Sequence, residues 1–100
     1  MDEKIIHRVF LKKGEPGRAE SLSVTDLWNE YRDAPMFFRS VLNGLANDRI
    51  YSDSGDRDQH CLYTTSSIPK LKDAVEAWYA REEIAHTEDT DSWYQNLLYA

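Results

Sequence analysis

The chain has 100 residues, enough for one domain and no second core. Hydrophobic residues make up 41% of it, with three tryptophans, and twelve Lys and Arg against eighteen Asp and Glu leave a formal charge of −6. That charge works against non-specific adsorption to nucleic acid or an anionic membrane, and no apolar run approaches the roughly 20 residues of a bilayer span. The acidity belongs mainly to the C-terminal third, where residues 66–100 hold three Lys/Arg against seven Asp/Glu. Cys61 is the only cysteine, which excludes an intramolecular disulfide and suits a reducing cytoplasm. The N-terminal MDEKIIHRVFLKKG has mixed charge and lacks the apolar core of a secretory signal.

Ile5, Ile6, Val9 and Phe10 recur at i, i+1, i+4 and i+5, the apolar stripe of a helix over residues 2–13. Asp2 and Glu3 at its start and Lys12 and Lys13 at its end suit the helix dipole, and Gly14 supplies a stop. Residues 15–20 read as a loop containing Pro and Gly, and Leu22 as a short extended stretch. Ser23 then caps a helix from Val24 to Tyr31, with Asp26 completing an arrangement like a capping box and Val24, Leu27, Trp28 and Tyr31 on one face. Pro35 disfavours helical geometry at Ala34 and starts a new helix to about Asn47. Its inward face is Phe38, Val41, Leu42 and Leu45. Gly44, which costs roughly 1 kcal/mol against Ala in a helix, reads as a position of close approach.

Residues 49–52 and 61–65 are β-prone runs on either side of the polar stretch 53–58, the pattern of a hairpin. Ser66 or Ser67 caps a further helix with Pro69 in its first turn. Leu71, Ala74, Val75, Trp78 and Tyr79 form its buried stripe, and it ends between Arg81 and His86. The acidic stretch 87–91 leads to a short C-terminal helix bearing Trp93, Tyr94, Leu97 and Leu98. Residues 1–86 thus form the domain, and 87–100 a linker with an apolar helix.

The sequence carries no catalytic signature. His7, His60 and His86 stand beside no CxxC, HxxxH or HExxH motif, so no metal is expected. Gly14 and Gly17 open no phosphate loop. Cys61, in a strand, reads as a small core residue rather than a nucleophile. A non-enzymatic protein without a cofactor is the expectation.

The order from about residue 5 to residue 80 resembles the winged helix-turn-helix superfamily: helix, loop, helix, turn, helix, two-stranded wing, trailing helix. The resemblance rests on 23–31, the Asp33-Ala34-Pro35 break, 35–47 and the 49–65 ribbon. It implies a mainly α fold with a small β-hairpin, and a DNA-binding transcriptional regulator as the function. The second helix of the motif would then lie in the major groove with Arg39, Ser40, Asn43 and Asn47 toward the bases, and Arg49 and Arg57 near the backbone. Further phosphate contacts would come from Lys4, Arg8, Lys12, Lys13, Arg18 and Arg32. Residues 33–65 nevertheless hold three arginines against five aspartates, which suits the alternative, ranked second to DNA binding, that the chain binds a protein partner, with carboxylates in place of phosphates. The aromatic and leucine content of the C-terminal quarter adds an expected homodimer interface of Trp78, Tyr79, Trp93, Leu97 and Leu98.

Overall fold

The structure, a computed structural model, describes residues 4–13, 15, 17–56 and 59–83. Strand β1 (Ile5–Lys12) is followed by β2 (Arg18–Ser23), helix α1 (Val24–Glu30), helix α2 (Pro35–Leu45), a 3-10 turn (Ala46–Asp48), β3 (Tyr51–Asp56), β4 (Gln59–Thr64) and helix α3 (Ile68–Arg81). The strands make one antiparallel sheet in the order β2-β1-β4-β3. Alternation along β1 sends Val9 and Leu11 to one face and Ile6 and Arg8 to the other. On the first face Val9, Leu11 and Leu62 pack against Leu71, Val75, Trp78 and Tyr79 of α3. On the second Ile6, Leu22 and Tyr63 pack against Leu27 of α1 and Val41 and Leu45 of α2. The sheet is the middle of three layers.

This architecture corrects the expected fold. A four-stranded antiparallel sheet with helices on both faces is not a mainly α winged helix-turn-helix with a small hairpin. The decisive difference is at the N-terminus, where the expected helix is β1, a central strand. Helices cover both of its faces, so Ile6, Arg8, Val9 and Leu11 are all buried and the strand's two-residue period is hidden. The second half of the loop expected over 15–20 is the start of β2, whose residues pair one-to-one with β1 from Ile5↔Ser23 to Phe10↔Arg18. The "wing" strands are half of the sheet, with β4 a central strand between β1 and β3.

The remaining elements form for reasons visible in the chain. Ser23 Oγ accepts from the Asp26 amide at 3.0 Å and the Ser23 amide donates to Asp26 Oδ2 at 3.3 Å, a reciprocal cap that starts α1 directly at the end of β2. Pro35 sits at the first position of α2. Asn47 and Asp48 both adopt left-handed backbone, φ 64° and 58°, and turn the chain from α2 into β3. Asparagine and aspartate tolerate that conformation better than most residues. Ser66 Oγ then donates to the Asp48 carbonyl at 2.7 Å and ties this corner to the start of α3. At Gly44 α2 touches the sheet, and a Cβ there would lie 2.9 Å from Cβ of Tyr51. Among the described residues, no helix is long and apolar enough to cross a membrane.

Candidate protein-binding groove

α1 has seven residues and sits over β1 and β2, so one sheet face can take only part of its apolar stripe. Leu27 is fully buried, whereas Trp28 is 38% exposed. The indole leans edge-on against Phe38 of α2, with ring centroids 5.1 Å apart at 61°. Val24 lies one turn before Trp28, and Leu42 one turn after Phe38, so both helices present apolar side chains along their junction. That junction opens into a hollow of about 110 Å³ lined by Lys4, Ile6, Val24, Leu42, Leu45, Ala46 and Thr65. The hollow is well below the roughly 300–1,000 Å³ of small-molecule sites and suits a single apolar side chain. Met36, at the start of α2, is 72% exposed. Arg39 is exposed on α2, Lys4 just before β1 and Arg32 in the turn after α1, with Asp26 and Glu30 exposed on α1 itself.

Beneath the groove a polar cluster fixes α1 to the sheet. Arg8, 4% exposed, donates from Nη1 to Glu30 Oε2 at 2.6 Å and from Nε to Glu20 Oε1 at 2.7 Å, and pairs with the same Glu20 oxygen through Nη2. Burial lowers the pKa of the guanidinium, but the bonds to Glu30 and Glu20 outweigh it and the net shift is upward. The Arg8 guanidinium also lies 4.8 Å from the Phe10 ring centre, and that of Arg18 lies 4.4 Å from it. Tyr31 and Tyr63 meet through their hydroxyls at 3.0 Å. Burial, with the Tyr31 bond, holds the Tyr63 phenol well above its ordinary range. Cys61 stands opposite Phe10 on β1 and Asp53 on β3, and burial, then Asp53, pushes its thiol up to about 11. A thiol so shifted is a poor nucleophile at neutral pH.

The residues expected to read DNA fall as follows. Arg39, Ser40 and Asn43 are exposed on the outer face of α2, and the Ser40 hydroxyl is turned back to the Met36 carbonyl at 3.0 Å. Asn47 and Arg49 are exposed in the turn and the extended link to β3. Arg57 lies outside the described residues. Of the expected phosphate contacts, Arg8 is buried and committed to two carboxylates. Of the expected dimer surface, Trp78 is 7% and Tyr79 2% exposed, packed on the chain's own sheet. Trp93, Leu97 and Leu98 lie outside the described residues. Trp28 read from its period as a core residue; the brevity of α1 was the signal that it could not be wholly buried.

A second concavity, about 530 Å³, lies at the start of α3 among Asp48, Thr65, Ser66, Ser67, Pro69, Lys70 and Asp73. It is wide open, and its two carboxylates flank one lysine. Among the described residues no group of three or more His, Cys, Asp or Glu is gathered to hold a metal. No family model, no curated protein and no solved structure matches the chain.

Proposed function

We propose that this chain is a small non-enzymatic protein-interaction module. Its α1–α2 groove takes one apolar side chain of a partner segment whose flanking residues are acidic. The observation that carries this reading is Trp28, 38% exposed and edge-on against Phe38, one helical turn from Val24, which lines the hollow. A partly exposed tryptophan one turn from the wall of a side-chain-sized pocket, on helices whose surface and connecting turn also expose Arg39 and Arg32, has the composition of an interface hot spot. Lys4, Arg32 and Arg39 supply the complement for the partner's carboxylates. The DNA reading loses the support of the winged-helix resemblance once that architecture is set aside.

The test is selection from a displayed random-peptide library on the wild-type chain, on Trp28→Ala, and on a Lys4→Glu/Arg39→Glu double variant. Wild type should enrich peptides with one large apolar residue between acidic ones. The first variant should lose the enrichment and the second should abolish the acidic preference. Enrichment that survives Trp28→Ala, or none on wild type, would overturn the reading.

A further inference from the structure

The sheet has two edges, and they are not alike. β3 carries a register break between Asp53 and Asp56, a common way of spoiling an edge for further pairing. β2 is regular, six residues in unbroken register with β1 and with no other strand beside it among the described residues. It contains neither lysine nor proline, and its two charged side chains do not guard the edge. Arg18 lies over Phe10 of the neighbouring strand, and Glu20 is held by Arg8.

The hydrogen-bond parity of β2 follows from its cap. The Ser23 amide is given to Asp26 rather than to β1, so in an antiparallel ladder Leu22, Glu20 and Arg18 bond β1 while Ala19 and Ser21 face outward. We propose that a second copy of this chain pairs with that edge. The two β2 strands run antiparallel, with Ala19 opposite the partner's Ala19, and join two four-stranded sheets into one.

Charge selects this register. It sets Arg18 opposite the partner's Glu20, and the same pair repeats across the two-fold axis. Both Arg8 contacts land on Oε1 of Glu20, which leaves Oε2 to accept from the partner's Arg18. A register centred on Glu20 would oppose two carboxylates, and one centred on Ser21 would set Glu20 against the partner's Leu22. The axis through Ala19 also lies away from Ser23, where α1 begins, and so keeps the two α1 helices apart. Because it stands normal to the sheet, both α1–α2 layers fall on the same side of the joined sheet.

Sedimentation of the full chain at micromolar concentrations tests the pairing, and a dimer is expected. Ala19→Pro removes an outward amide that β1 does not use, and should give a monomer with unchanged circular dichroism. Arg18→Glu sets like charges across the axis and should weaken the dimer by roughly ten-fold or more. Should Ala19→Pro fail to fold, Ala19→Cys in a Cys61→Ser background supplies a second readout, since opposed residues in this pairing sit within disulfide range. Mild oxidation should then cross-link the dimer, whereas Ile5→Cys in the same background should not. A monomeric wild type overturns the proposal, as does a dimer that tolerates both Ala19→Pro and Arg18→Glu. So does a dimer lost on deleting residues 87–100 and kept in Arg18→Glu.

Discussion

Tyr63 of β4 and Tyr31, the residue that ends α1, meet hydroxyl to hydroxyl at 3.0 Å. Tyr63 is wholly buried, so its phenol depends on this partner and on Arg8 in place of water. Tyr31→Phe removes one partner and leaves a buried hydroxyl short of a bond, a loss of about 1–3 kcal/mol. Tyr63→Phe removes the buried hydroxyl itself and should cost less. Urea unfolding of the two variants checks the order; equal losses would show that the pair contributes only through its ring packing.

Gly44 offers a test of opposed effects. Alanine would favour α2 by roughly 1 kcal/mol on helix propensity. Its Cβ, however, would press on Tyr51 at the root of the side chain, 2.9 Å from Cβ. That atom cannot swing aside without moving β3, so overpacking of about 1–3 kcal/mol should win. Gly44→Ala is expected to lower the urea midpoint, and an increase would mean that α2 lifts from the sheet without loss.

Why some of this was legible and some not comes down to particular residues. The Ser23–Asp26 cap, Pro35 and the stripe Leu71, Val75, Trp78, Tyr79 are local signals, and α1, α2 and α3 stand where they predict. β1 was hidden because Arg8 is buried beside Ile6 and Val9, an ion pair that no periodicity reveals. With both faces covered, the adjacent pairs Ile5-Ile6 and Val9-Phe10 imitate a helical stripe. The β-branched and aromatic content of the run before Gly14 was the signal that favoured a strand. β2, RAESLS, buries only Leu22 and looks like a loop until β1 is known to lie beside it. The groove depends on how α1 and α2 meet over the sheet, and no single helix encodes that.

Cys61 gives a chemical reading of the same face. Its pKa, raised from 9.0 to about 11, implies a thiolate fraction roughly a hundred-fold below that of an unperturbed thiol at pH 8. Reaction with a chromogenic disulfide should be slow for the native chain and fast in urea. Native reaction as fast as the denatured one would mean that the thiol stands in water, outside the packing around Tyr63 and Phe10.

The histidines set the acid side of the stability profile. His7, on the α3 face of β1, has Nδ1 3.1 Å from Ser21 Oγ, and burial lowers its pKa below 6.5. His60 has Nε2 2.7 Å from Ser52 Oγ and stacks on Trp78 with centroids 6.0 Å apart. Burial, then the charge of Arg81, lowers its pKa too, against smaller opposing effects of Asp53 and Glu82. A group whose folded pKa is depressed in this way takes its proton more readily in the unfolded chain. Its stabilisation is therefore complete above pH 6.5 and declines as the pH falls through that value toward the folded pKa. The urea midpoint should fall across this window before the carboxylates titrate, and a His7→Gln/His60→Gln variant should flatten that part of the curve. His60→Gln alone should also change the fluorescence of Trp78. A midpoint that holds steady from pH 7 to pH 5 in the wild-type chain would place both rings in solvent and contradict their packing against β2 and α3.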